Sequence, residues 1–223
     1  EALDAVETLI KSYPNEPLLY NISGICYKTI GKLNEAVKSF EKALTIKPDY
    51  AEVHYNLGVT LQELDQLEAA VKSYEKAITI KPDYADAYIN LGITLKNLGQ
   101  LDAAVKSYEK AIAINPDYAE AHNNLGNTLD DLGQLDAAVK SYENALAIKP
   151  DFAEAHNNLG NTLMNLDQLN EAVKCFKQAL AIKPDYAEAH NNLGNTLMNL
   201  DQLEASIKSF EKALAINPRY AEA

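Results

Sequence analysis

Tryptophan is absent from the 223 residues, and cysteine occurs only as Cys26 and Cys175. Two cysteines cannot build a disulfide framework, so the fold must rest on apolar packing. Their scarcity is compatible with a reducing compartment. Long hydrophobic runs are missing too. No stretch approaches the ~20 apolar residues of a membrane-spanning helix, and no secretory leader is recognisable. The chain also begins without Met, so a leader carried by a longer reading frame stays compatible with it. Clustered positive charge is lacking as well. The formal net charge is −12, whereas phosphate backbones and anionic lipid are held by grouped Lys and Arg. The expectation is a cytoplasmic protein that binds neither nucleic acid nor membrane, with a basic or neutral polypeptide as its better-matched partner.

What is present is repetition. The run AEAHNNLGNTLMNLDQL occupies Ala153 to Leu169 and returns unchanged from Ala187 to Leu203. The run KPDYAE at Lys47 has near-copies starting at Lys81, Asn115, Lys149, Lys183 and Asn217, always 34 residues apart. A fixed period of this size marks a repeat architecture. The period divides the chain into six full units, 17–50, 51–84, 85–118, 119–152, 153–186 and 187–220. Residues 1–16 read as the second half of a preceding unit, and 221–223 as the start of another.

Inside a unit the apolar spacing is helical. His54, Leu57, Gly58, Leu61 and Leu64 make one stripe, and Ala70, Tyr74, Ala77 and Ile78 a second stripe on a second helix. Asp65-Gln66-Leu67 reads as the turn between them, with Gly31, Gly99 and Gly133 at the place of Asp65 in other units. A left-handed helix end suits Gly better than Asp. Pro82 ends the second helix, because the residue before proline avoids helical angles. Asp83 with Asp86, repeated as Asp49/Glu52, Asp117/Glu120, Asp151/Glu154 and Asp185/Glu188, has the spacing of a capping box for the next helix. Small residues such as Gly58 with Ala70 and Gly126 with Ala138 let paired helices approach closely. Acid-before-base pairs such as Glu68/Lys72 and Asp136/Lys140 read as a solvated outer face.

His54-x-x-Leu57-Gly58-x-x-Leu61, then Ala70-x-x-x-Tyr74, Ala77 and Pro82, resembles the tetratricopeptide repeat. The likeness spans essentially the whole chain and recurs six times. One departure is that Tyr20, His54, Tyr88, His122, His156 and His190 stand where the family has Trp. The resemblance implies an all-α, right-handed superhelical solenoid of antiparallel helix pairs. First helices would line a concave groove, and second helices the convex outside. A hairpin that cannot bury both faces alone is covered by a neighbour of the same shape.

No residue constellation reads as an active site or cofactor site. The histidines fall one per unit, so they cannot converge on one metal ion, and they read as packing residues. Cys26 and Cys175 stand where other units carry Thr or Ser, as small-residue substitutions. Asn21-Ile22-Ser23 has the form of a glycosylation acceptor, but it falls within an expected helix.

The asparagines stand apart. Asn56, Asn90, Asn124, Asn158 and Asn192 form one column, interrupted by Ile22 in the first unit. Asn123, Asn157 and Asn191 stand beside it, then Asn127, Asn161 and Asn195. Asparagine is a mediocre helix former, so a mid-helix column needs a reason. One reading is structural, an amide bonding repeat to repeat. The other is a ladder that grips the backbone of an extended peptide, since a carboxamide both donates and accepts. The run His122-Asn123-Asn124-Leu125-Gly126-Asn127 also resembles the repeat domain of O-linked N-acetylglucosamine transferases, and the repeats resemble bacterial tetratricopeptide arrays. The transferase likeness implies substrate-protein binding in service of a catalytic domain elsewhere. A carboxylate clamp for a chain terminus is disfavoured, because the first helices lack the basic residues it needs.

Tyr55, with Ile22, Ile25, Val59, Ile89 and Ile93, gives the earlier units an apolar margin, whereas the later ones add Met164 and Met198. The reading is thus a non-enzymatic scaffold that binds a protein or peptide along an asparagine-lined groove. Two alternatives are the substrate-recognition part of a larger group transferase and a module stacking head to tail through uncapped ends.

Overall fold

A computed structural model describes residues 2–219. Thirteen α-helices and no strand make up the described residues: α1 (Ala2–Ser12), α2 (Pro17–Thr29), α3 (Leu33–Ile46), α4 (Ala51–Glu63), α5 (Leu67–Ile80), α6 (Ala85–Asn97), α7 (Leu101–Ile114), α8 (Ala119–Asp131), α9 (Leu135–Ile148), α10 (Ala153–Asn165), α11 (Leu169–Ile182), α12 (Ala187–Asn199) and α13 (Leu203–Ile216). The expected start of a further repeat at 221–223 lies outside the described residues. The helices fall into two compact units, one within Glu1–Pro116 and one within Asp117–Ala223.

Each unit is built from helix hairpins. In the first, α2/α3, α4/α5 and α6/α7 pair closely, and α1 lies against α2. In the second, the pairs are α8/α9, α10/α11 and α12/α13. Every second helix also packs on the first helix of the next hairpin within its unit, as α5 does on α6 and α11 on α12. First helices touch their neighbours directly: α2 with α4 and α4 with α6, then α8 with α10 and α10 with α12. A row of first helices therefore presents one continuous face in each unit.

The core explains the sequence stripes. Ala36, Phe40 and Ala43, with their equivalents up to Ala172, Phe176 and Ala179, are sealed from solvent on the second helices. The glycine of each first helix exists for the ring opposite. A Cβ at Gly58 would stand 2.6 Å from Tyr74 Cε1, and one at Gly126 the same distance from Tyr142. The atoms nearest to such a Cβ all belong to an aromatic ring of the paired second helix.

The hairpin turns follow the sequence reading. Asp65, Asp167 and Asp201 have φ of 58°, 59° and 58°, and Gly31, Gly99 and Gly133 take the same left-handed conformation. Gln66 N donates to Leu61 O at 2.8 Å and Asp65 N to Gln62 O at 3.0 Å, the paired bonds of a Schellman motif.

The capping box does not form. Tyr50, Tyr84, Tyr118, Phe152 and Tyr186 occupy the N-cap positions, none with a side-chain cap bond. The tight turn after proline is the reason: Tyr84 N reaches back to Lys81 O at 3.2 Å, which places Asp83 one residue too early to cap. The turn is fastened through its aromatic residue instead. Lys47, Lys81, Lys149 and Lys183 set their ammonium groups 4.7–5.0 Å from the ring centres of Tyr50, Tyr84, Phe152 and Tyr186.

Candidate functional site: the asparagine face of the first helices

Two adjacent registers on the first helices meet between repeats. In the first unit, Asn56 Nδ2 donates to Asn21 Oδ1 at 3.0 Å, and Asn90 Nδ2 donates to the Tyr55 hydroxyl at 2.9 Å. In the second, Asn158 Nδ2 donates to Asn123 Oδ1 and Asn192 Nδ2 to Asn157 Oδ1, both at 3.2 Å. Asn157 Nδ2 also donates to Glu188 Oε1 at 3.0 Å. Asn56, Asn90, Asn158 and Asn192 thus each reach a residue 35 positions earlier, which ties consecutive first helices together within each unit.

The two registers differ in access. Asn123 and Asn157 are only 2% and 0% exposed. As groove residues they need correcting, because both are sealed in the seam between first helices, whereas Tyr55 and Asn191 of the same register stay half-buried. Ile89 shares that register and is buried too. Asn56, Asn90, Asn124, Asn158 and Asn192 are half-buried, as are Asn191, Asn127, Asn161, Asn195 and Tyr55. A carboxamide offers two N–H donors and an oxygen acceptor. The inter-repeat bond uses one N–H of Asn158 and one of Asn192, leaving the second N–H and Oδ1 of each.

The third register splits by what faces it. Asn127 Oδ1 accepts from the Tyr142 hydroxyl at 2.8 Å. One and two repeats later the facing ring belongs to Phe176 and Phe210, which carry no hydroxyl. Asn161 and Asn195 therefore keep their whole carboxamides free of any such partner. Of the methionines, Met164 is half-buried and its sulfur lies 3.4 Å from the Thr196 hydroxyl, whereas Met198 is 48% exposed.

A buried threonine column, Thr60, Thr94, Thr128, Thr162 and Thr196, lies behind this face. Thr94 donates to Gln62 Oε1 at 3.0 Å, and Gln62 also accepts from the Tyr74 hydroxyl at 3.0 Å. Thr162 donates to Asp130 Oδ1 at 2.6 Å. The bonding roles of Asn21, Gln62, Asp130 and the threonines escaped the sequence reading. For Asn21 the signal was present, since it precedes Asn56 by the same 35 residues that separate Asn123 from Asn158.

The histidine positions have a local task. His54, His156 and His190 set Nε2 2.8–3.0 Å from the carbonyls of Pro48, Pro150 and Pro184, and the Tyr20 hydroxyl donates to Pro14 O at 3.0 Å. They satisfy the turn that ends the preceding helix. Among the described residues no group of three or more His, Cys, Asp or Glu is placed to hold a metal ion.

Electrostatics follow burial. Burial raises the Tyr55 hydroxyl, with Asp86 adding to it. Tyr84 is pushed up to about 12, by burial first and then by Tyr55, Asp86 and Glu52. Tyr74 and Tyr142 also shift upward, chiefly by burial. The Cys175 thiol is raised to about 11, by burial and then by Glu143 and Glu171. None of these groups is activated for proton transfer or nucleophilic attack near neutral pH.

The TPR repeat profile matches 27–65, 63–99, 95–131, 131–167 and 161–201, and the tetratricopeptide repeat profile matches 187–220. The chain belongs to the tetratricopeptide repeat family. Among solved structures, this tetratricopeptide repeat protein is similar to the MamA protein at 30% identity, with a TM-score of 0.72 over 78% of this chain and 96% of that one. It is similar to YrrB, described as a TPR protein with an unusual peptide-binding site, at 24% identity and a TM-score of 0.72, over 84% of this chain and 97% of that one. It also matches Pseudomonas aeruginosa pilF at 18% identity and a TM-score of 0.78, over 91% and 92%. The last two likenesses show the fold alone. No curated protein sequence matches the chain. Among the described residues no helix is long and apolar enough to cross a membrane.

Proposed function

We propose that this protein is a non-catalytic interaction scaffold, and that the first-helix face of its second unit binds an extended polypeptide segment by the segment's backbone. The supporting observation is a division among the asparagines. Asn123 and Asn157 are sealed into the seam, and they hold Asn158 and Asn192 in fixed orientations. The remaining N–H and Oδ1 of Asn158 and Asn192, with the whole carboxamides of Asn161 and Asn195, are left for a peptide N–H and C=O. Holding donors and acceptors in place before binding lowers the entropy cost of association. The description of YrrB as a peptide-binding protein is consistent with this use of the fold.

Recognition of this kind is tolerant of sequence, because it reads backbone. It is also weak. Each net hydrogen bond contributes about 0.5–1.5 kcal/mol, while association costs about 4–15 kcal/mol. Exposed Met198 adds an adaptable apolar contact. The acidic residues Glu154 and Glu188 on the same helices favour a neutral or basic ligand.

The experiment is selection of binders from a random peptide library on the intact protein, followed by titration of the selected peptide into Asn161→Ala/Asn195→Ala. Neither side chain supports the fold through a hydrogen bond, so the variant should fold and lose affinity at least about tenfold. Undiminished binding by the folded double variant would remove these amides from the ligand site.

A further inference from the structure

The second-helix face of the second unit carries a different feature. A cleft of about 490 Å³ opens beside α11 and α13, floored by Leu180, Leu193 and Ile216. Its rim holds Lys177, Lys208 and Lys212, and no Asp or Glu lines it. All three lysines are exposed. In a chain of net charge −12 this is a local inversion of sign.

The inversion has one origin in the sequence. At 34-residue offsets from Lys177 stand Glu41, Glu75, Glu109, Glu143 and Glu211. Only the repeat carrying α11 replaces that glutamate with lysine. Elsewhere that place is acidic. On α9, Glu143 adds to burial in raising the Cys175 thiol of α11. At Lys177 the same place carries a third positive charge, beside Lys208 and Lys212.

The floor is apolar, with Leu180 half-buried and Ile216 40% exposed. Leu193 is buried, and His190, also in the lining, is held by the Pro184 carbonyl at 3.0 Å and so is committed to the turn. An ion such as phosphate would meet the lysines and leave the floor wet. A ligand that uses both parts must join negative charge to an apolar side chain.

We propose that this cleft is a second binding site, for an acidic peptide segment that seats one apolar side chain on Leu180, Leu193 and Ile216 and pairs its carboxylates with Lys177, Lys208 and Lys212. The site is separate from the asparagine face and opposite to it in charge preference. One scaffold could then hold two chemically distinct segments at once.

The test uses a fluorescein-labelled peptide of Glu and Asp flanking a single Leu, read by fluorescence anisotropy against the whole protein. The key variant is Lys177→Glu, which installs the residue that five other repeats carry at this place and is therefore compatible with the fold. The expected result is saturable binding that weakens as salt rises and falls about tenfold or more in Lys177→Glu, since one attraction becomes a repulsion. Lys208→Ala/Lys212→Ala should weaken it similarly, and replacing the peptide's Leu with Ser should weaken it further. The proposal is overturned if Lys177→Glu binds as well as the parent, if the peptide with Gln and Asn in place of its acids binds equally, or if inorganic phosphate at the peptide's concentration displaces it fully.

Discussion

The two units solve the same joining problem with chemistry that differs at one joint. In the first, Asn56 donates to the buried amide of Asn21, but Asn90 donates to a phenol, Tyr55, whose ring also lies 5.0 Å from that of Tyr84 and 6.0 Å from that of Tyr74. In the second, Asn158 and Asn192 donate to the buried amides of Asn123 and Asn157. The register and the 35-residue reach are unchanged. The column asparagine is therefore the constant of the joint, and its acceptor is the variable. An aromatic acceptor brings apolar area and makes that part of the face greasy. An amide acceptor spends buried polar groups, which is tolerable only when all are satisfied, and among the described residues no buried side-chain N or O lacks a partner. The second unit keeps a polar face as a result.

The largest effects are expected where the units agree. Gly58→Ala and Gly126→Ala each drive a methyl group into a buried tyrosine ring at 2.6 Å. Each should lower stability by about 1–3 kcal/mol in urea unfolding, and by similar amounts in both units. A large asymmetry would mean that one ring has room to retreat.

The next test separates the two acceptors. Asn157→Ala removes both the acceptor for Asn192 and the donor to Glu188, and leaves a small void. It should cost about 1–3 kcal/mol. Tyr55→Phe removes only the acceptor for Asn90 and keeps the ring contacts, so about 0.5–1.5 kcal/mol is expected. Equal losses would undo the distinction between a sealed amide seam and a phenolic one.

Much of this was legible in the sequence. The apolar stripes, the left-handed turn at Asp65 and Gly99 and the 34-residue period are local or periodic signals, and a chain of near-identical units repeats them until chance is excluded. The capping box failed because its spacing rule assumes an aspartate at the N-cap, whereas the post-proline turn puts Tyr84 there. The asparagine face was legible only in part. The periodicity revealed the column but not the angle of each side chain, so buried Asn157 looked like half-buried Asn158. The partner of Asn127 on α9 was invisible because it depends on a phenol 15 residues away that becomes phenylalanine in the next repeat.

Smaller effects are expected at the turns and the tyrosines. Asp65→Gly, Asp167→Gly and Asp201→Gly each relieve a positive φ and should each raise stability by up to about 1 kcal/mol, readable as a shift in the unfolding midpoint. High pH acts on both units, through Tyr55, Tyr74 and Tyr84 in the first and Tyr142 in the second. A hydroxyl whose folded pKa is raised adds stability that is complete below its unfolded value near 10 and is lost as pH climbs through the folded value, about 12 for Tyr84. Stability should therefore fall between pH 10 and 12, and less so in Tyr55→Phe/Tyr84→Phe, as measured by urea unfolding at stepped pH.

In the proposed division of labour, bonded amides hold the stack and unbonded amides meet the ligand. Side-chain amide NMR on the intact protein, with a library-selected peptide added, tests that division directly. The prediction is that the Asn161 and Asn195 side-chain NH₂ signals move on binding, while those of Asn123 and Asn157 stay in place. Movement confined to Asn123 and Asn157, or no movement at any of these amides while the peptide is bound, would contradict it.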